Sequence, residues 1–143
     1  MMDNLEREQI ISMLKDVSTK FESLRDAVCA PYGLSSIQAI LILDIYHNPK
    51  ETKVTDICKR LNKSTNTISP LINRLCEKGY LKKVRDESDY RITRIFLTEK
   101  SKSITDKISI DIKDYTLPVF EQLTEEEIMT IKKGLELLKK VVE

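Results

Sequence analysis

Residues 61–81 read LNKSTNTISPLINRLCEKGYL, from Leu61 to Leu81. The second half repeats apolar residues at helical spacing, whereas the first is crowded with Ser, Thr and Asn and contains Pro70. A helix starting at about Thr65 turns Ile68, Leu71, Ile72 and Leu75 to one side, at about 100° per residue. Asn66, Pro70 and Asn73 then lie opposite, with Thr67, Ser69 and Arg74 on the flanks. Gly79, just after Lys78, is the expected stop. Pro70 fits a helix that effectively begins near Asn66, because first-turn N–H groups have no intrahelical acceptor to lose. The polar head gives up helix propensity, which makes sense if its side chains serve another purpose. Asn, Ser and Thr exchange hydrogen bonds with base edges or phosphates, Arg bonds guanine bidentately, and helix N-terminal N–H groups favour a phosphate. Ordinary capping is the plainer account of the same residues.

The segment that follows favours the first account. Leu81 to Arg85 reads as a short basic strand, Asp86 to Tyr90 as a polar turn and Arg91 to Leu97 as a β-branched extended run. Together they predict a hairpin with a long loop. Its positive charge comes from Lys82, Lys83, Arg85, Arg91 and Arg94, with Asp86, Glu87 and Asp89 between them. Acid facing DNA is repulsive unless it organises an arginine. Asp89 stands two residues before Arg91 across a turn, where it can aim Arg91 at a narrow, negative minor groove. A solvated hairpin with weak ion pairs is the alternative. The candidate DNA-binding set is Lys63, Thr65, Asn66, Thr67, Ser69, Pro70, Asn73, Arg74, Lys83, Arg85, Asp89, Arg91 and Arg94.

Working outward, Ile10, Leu14, Val17, Phe21, Leu24 and Val28 form one stripe along a helix ended by Pro31 and Gly33. Ser35 with Gln38 makes a capping box for a second helix that is apolar on most sides and stops at Asn48-Pro49. After the polar connection KETK, Val54, Ile57, Cys58 and Leu61 share one side of a brief helix. Beyond the hairpin, Thr98 caps a helix through Ile104, Ile108, Ile112 and Tyr115 that Pro118 kinks or ends. Thr124 and Glu127 box a last helix carrying Ile128, Ile131, Leu135, Leu138 and Val142, weakened by Gly134. The fold class is therefore mainly α with a small β-hairpin wing. A winged helix-turn-helix lobe over about 34–97 is flanked by dimerisation helices over about 3–30 and 99–142, in a single domain spanning 1–143. The terminal stripes, Ile10, Leu14, Val17 and Phe21 with Ile128, Ile131, Leu135 and Leu138, exceed what one small lobe can cover. A second copy of the chain is the economical partner, giving a homodimer.

The formal charge of +1 conceals a division. Residues 50–102 hold fourteen Lys/Arg against seven Asp/Glu, net +7, while 1–49 and 103–143 are each net −3. A basic centre attracts a polyanion even when the total is near zero. The three cysteines, Cys29, Cys58 and Cys76, include no C-x-x-C and argue for a reducing cytoplasm. Cys58 and Cys76 read as small core residues, and Cys29, beside Pro31, as the most exposed thiol. The first apolar run is broken by Glu6, Arg7, Glu8 and Gln9, so neither a signal peptide nor a membrane segment is expected. His47 stands alone, and no Gly-rich phosphate loop, G-x-S-x-G or H-E-x-x-H occurs. An enzyme, a metal site and a cofactor are not expected.

These residues carry a family likeness: the chain resembles the MarR-family transcriptional regulators, which are winged helix-turn-helix dimers. The matching residues are Thr67, Ser69, Pro70, Leu71, Arg74, Leu75 and Gly79, then Asp89 and Arg91, then Leu97, Thr98, Glu99 and Lys100. The resemblance implies that the helix from Thr65 to Lys78 is the recognition helix, Arg91 the wing arginine and the terminal helices the dimer interface. It also implies an effector pocket between them and the DNA-binding lobe, for which Tyr32 and Tyr46 are candidates. Such regulators commonly repress genes until a small phenolic or lipophilic ligand, or an oxidant, relaxes DNA binding. Tyr90 stands where many relatives have a first wing arginine, Cys76 replaces a frequent Glu, and Ser101 a common Gly. Peroxide sensors of the family keep a reactive cysteine within the first long helix. Here Cys29 comes only at its end, so direct peroxide sensing is not expected.

The partner is thus expected to be double-stranded DNA with an imperfect palindromic site. A winged-helix protein-assembly module without sequence-specific DNA binding is the alternative. The polar face of Asn66, Ser69, Asn73 and Arg74 argues against it, because protein-binding faces present aromatic or aliphatic anchors. Duplex RNA fits less well, since its deep, narrow major groove would not admit the helix.

Overall fold

Ser35 begins the central helix as its sequence predicts. In the computed structural model, which describes residues 3–143, its Oγ accepts from the Gln38 N–H (3.3 Å) and Gln38 Oε1 accepts from the Ser35 N–H (3.0 Å). The helix so capped, α2 (Ser36–His47), buries Ala39, Leu41, Ile42 and Ile45. It follows α1 (Asn4–Cys29) and a 3-10 turn, Ala30–Tyr32. Gly33 closes that turn at φ +70°, a conformation costly for any residue with a Cβ. Asp26 of α1 adds a second cap, accepting the Ser36 N–H at 2.5 Å, where a carboxylate also complements the helix dipole.

Next come α3 (Val54–Leu61) and α4 (Thr65–Glu77), joined by a turn in which Asn62 is left-handed at φ 52°. Asn tolerates that region better than other non-glycine residues. Ser64 caps α4, its Oγ accepting from the Thr67 N–H at 3.3 Å. Gly79, at φ +79°, ends it: the Tyr80 N–H returns to the Leu75 carbonyl at 2.9 Å. That reversal feeds β1 (Leu81–Arg85), which pairs antiparallel with β2 (Thr93–Leu97) from Leu81↔Leu97 to Arg85↔Thr93. The KETK connection does more than its composition reveals. Lys53 bridges Arg94, and the Ile95 N–H donates to the Thr52 carbonyl at 2.9 Å, adding a rung to the free edge of β2.

The structure moves the start of the second strand from Arg91 to Thr93. Asp86 is the reason. Its Oδ2 accepts from the N–H groups of Ser88 and Asp89 at 3.2 and 3.1 Å, and its own N–H donates to the Ile92 carbonyl at 2.9 Å. This side-chain turn competes with the ladder and keeps Arg91 in the loop. The chain closes with α5 (Glu99–Thr116), capped by Thr98, a 3-10 segment (Leu117–Gln122) and α6 (Glu125–Val142), boxed by Thr124 and Glu127. The fold is mainly helical with one small antiparallel hairpin and flanking helices.

One core ties α1 through α5 and the hairpin together: Leu41, Ile42, Ile57, Ile68, Ile72, Leu75, Ile95 and Ile108 are almost wholly buried in a single cluster. Truncating one of these isoleucines to Ala costs about 2–5 kcal/mol. Cys29 belongs to the same cluster with no exposed surface, which reverses its reading as the most exposed thiol. The chain turns at Pro31 yet folds back over the cysteine, with the Leu34 N–H on the Cys29 carbonyl at 3.3 Å. Cys58 and Cys76 are half-buried at the rim of that core. Ser101 also acquires a role: buried, its hydroxyl donates to the Tyr80 carbonyl and pins α5 to the strand junction.

Candidate nucleic-acid interface

The two sides of α4 divide as their spacing predicts. Ile68, Ile72 and Leu75 are buried; Thr65, Asn66, Thr67, Pro70, Asn73 and Arg74 are exposed, with Lys63 just ahead of them and Ser69 half-buried at the edge. Thr67 Oγ1 lies 3.1 Å from Ser64 Oγ, so part of its hydrogen-bonding capacity serves the cap. The exposed Asn66 side chain has no hydrogen-bond partner among the described residues. The N–H groups of Thr65 and Asn66, at the first two helical positions, have no intrahelical acceptor and lend positive potential to this end.

Pro70 corrects one expectation. With Ser64 as cap, it is the sixth helical residue, in the second turn. The N–H it lacks is the one that would bond to the Asn66 carbonyl. Asn66 is exposed, so the missing bond falls on the solvent side of the helix.

The wing separates its arginines by role. Arg94 donates from Nε to Asp86 Oδ1 at 2.9 Å and only 31% of its side chain is exposed, so it holds the loop together. Arg91 donates to Asp89 in a fork yet remains 91% exposed. The Asp89 carboxyl is held below the usual carboxylate range by the Arg91 guanidinium and then by the Arg91 N–H. That of Asp86 is lowered first by Arg94 and then by the Asp89 N–H. Both aspartates therefore stay ionised and act as struts for cations. Arg85 is exposed at the end of β1, and Tyr90 projects from the wing tip. Lys83 donates from Nζ to Asn73 Oδ1, bringing together two residues that their sequence positions leave separate. The strut role of Asp86 also escaped sequence reasoning, although the spacing D-E-S-D carries the signal of an Asx turn.

Tyr32 and Tyr46 stand at opposite ends of α2. Tyr46 lines a cleft of about 600 Å³ with Ile45, Pro49, Phe96, Lys82 and Lys102, between α2, the hairpin and the start of α5. Its hydroxyl donates to Asp106 Oδ1 at 3.2 Å. Tyr32 instead donates to Asp111 Oδ2 at 2.5 Å, and that bond pushes its pKa up to about 12. Among the described residues no three His, Cys, Asp or Glu side chains converge as metal ligands. No single helix among them is long and apolar enough to cross a membrane.

Comparison with known proteins bears on what this surface is. The sequence profile described as "Winged helix DNA-binding domain" matches residues 34–101. The HTH-type transcriptional regulator SarZ of Staphylococcus epidermidis is 29% identical over 107 residues, 73% of this chain and 69% of SarZ. A MarR-like transcription regulator structure from Bacillus cereus superposes with a TM-score of 0.87 at 16% identity, covering 97% of this chain and 99% of that one. The S. aureus MepR–DNA complex gives a TM-score of 0.84 at 20% identity, covering 94% and 98%. The sequence relatives, the helical order and the Ser69-Pro70-Leu71, Asp89-x-Arg91 and Leu97-to-Lys100 motifs agree: the chain has the fold of the MarR-like winged helix-turn-helix regulators and resembles that family in sequence.

Proposed function

We propose that the protein is a dimeric repressor that binds promoter DNA sequence-specifically at an imperfect palindrome. In this reading α4 enters the major groove with Asn66, Ser69, Pro70, Asn73 and Arg74 toward the base edges. Lys63, Thr65 and Thr67 meet the flanking backbone, and Arg85 and Arg91 extend the contact from the wing. Asp89 holds Arg91 and Asp86 holds Arg94. The observation that carries the reading is the division of α4, whose exposed side is polar and cationic and whose buried side is the core. A protein of the same fold is bound to DNA in its structure, the S. aureus MepR complex, which supports a DNA-binding reading of this fold.

The dimer reading rests on uncovered apolar surface. Ile10, Leu14 and Val17 of α1 and Ile131 and Leu135 of α6 are exposed in the single chain, with Phe21, Ile128 and Leu138 half-buried beside them. No residue of α6 is fully buried. Covering the exposed part of each such side chain contributes on the order of 1 kcal/mol, so a partner that buries several offsets the cost of association. Two copies of α4 then sit about one helical turn apart, ~34 Å. The Tyr46 cleft, apolar with two lysines at its margin, is where we place a small lipophilic or phenolic effector that releases the DNA.

A salt titration comparing genome-selected duplex, random duplex and duplex RNA tests this reading. Selected DNA should bind tightest at every salt concentration, with affinity falling steeply as salt rises. Equal affinity for all three would contradict it, and would favour the protein-assembly alternative.

A further inference from the structure

Among the described residues, one side-chain hydrogen bond joins the wing to α4, Lys83 Nζ donating to Asn73 Oδ1. The backbone prepares it. Lys83 pairs with Ile95 in the hairpin register, and Ile95 is fully buried, so Lys83 leaves the sheet on the face turned toward the helices. A second relation agrees. Burial pushes the Cys76 thiol pKa up, and the Lys83 ammonium pulls against it. Cys76 lies three residues after Asn73, hence beside it on the helix, so the ammonium sits over the Asn73–Cys76 edge of α4.

An ammonium has three donors and no acceptor, so its chemistry settles which way the amide points: oxygen to the lysine, NH₂ outward. Asparagine recognises adenine by accepting from N6 with its oxygen while donating to N7. With Lys83 on that oxygen, the adenine amino group would meet a cation where it needs an acceptor. Resting on the reading of α4 as the base-contacting helix, we propose that Lys83 makes Asn73 a donor-only reader of acceptor edges in the major groove, guanine O6/N7 or thymine O4. Lys83 is a positioning residue in this scheme, acting on specificity through Asn73.

The test is selection of bound duplexes from a random library by the full chain and three variants, Asn73→Ala, Lys83→Met and Lys83→Arg, read as base ratios at each position. The position whose preference disappears in Asn73→Ala should be guanine or thymine in the wild type. Lys83→Met should raise adenine against that base by about ten-fold, the scale of one bidentate contact. Lys83→Arg, which keeps a donor-only cation, should leave the preference in place. A uniform loss of affinity from removing a charge does not move these ratios. Adenine at that position in the wild type, an unchanged ratio in Lys83→Met, or no position lost in Asn73→Ala would each overturn the assignment while leaving DNA reading by α4 intact. A wild-type protein that selects no motif would overturn both.

Discussion

Arg91 reaches Asp89 with Nε at 3.1 Å and Nη2 at 3.3 Å while nine-tenths of its side chain stays in solvent. A pair so exposed contributes little stability. Its effect is directional: the fork, with the Arg91 N–H on the same carboxylate at 3.0 Å, restricts a long side chain to one sector beside the wing tip. Arg91→Ala should weaken cognate and scrambled sites alike if the arginine meets phosphate, and lower the salt slope by about one contact per wing. If it enters the minor groove, the loss should depend on flanking A·T content. Unchanged affinity for cognate, scrambled and G·C-flanked DNA would remove Arg91 from the interface.

The wing aspartates set a pH window. Both carboxyls are depressed in the folded state, so their contribution to loop order is complete above the ordinary aspartate value of about 3.9. It is lost as pH falls through the lower folded values. NMR shifts of the Ser88, Asp89 and Arg91 amides should therefore hold steady down to that pH and move only below it. Arg94→Met removes the largest cause of the Asp86 shift and should raise its midpoint toward the ordinary value. A wild-type midpoint at or above that value would contradict the strut geometry.

Cys29 should be inert. It is fully buried, and its thiol pKa is raised first by burial and then by Asp26. A thiol reagent should label the half-buried Cys58 and Cys76 before Cys29, which should react only on unfolding. Cys29→Ser should leave the response of DNA binding to hydroperoxide unchanged. Peroxide-induced release that disappears in this variant would make Cys29 a sensor.

Much of this architecture was legible because its signals are local. Ser35 with Gln38, Thr98, and Thr124 with Glu127 announce helix starts within three residues, and the steps between Ile68, Ile72 and Leu75 fix the inward side of α4. What was not legible depends on tertiary approach. Cys29 looks exposed beside a proline, but the chain folds back over it. Lys83 and Asn73 are ten residues apart on different elements, and only the reversal at Gly79 brings them together. Arg94 and Arg91 look alike in sequence. Asp86 takes one and Asp89 orients the other, a division set by a loop whose Asx turn displaced the predicted strand.

The terminal helices should hold two copies together. Leu14→Glu with Leu138→Glu would place unpaired charge in the proposed interface, where its burial is prohibitive. Sedimentation at micromolar concentration should show a dimer for the parent protein and a monomer for the variant. A monomeric parent would contradict the arrangement.

The central claim is that the exposed side of α4 reads bases. Its most direct measurement is the ratio of equilibrium affinities for cognate and scrambled duplex, for the wild type and for Asn66→Ala, at fixed salt. Asn66 is exposed, so its truncation should leave the fold intact. One lost base-edge contact should shrink the ratio by about 1–3 kcal/mol, mostly through weaker cognate binding, while scrambled binding holds. An equal loss on both duplexes, leaving the ratio unchanged, would show that this residue does not read sequence and would contradict the account.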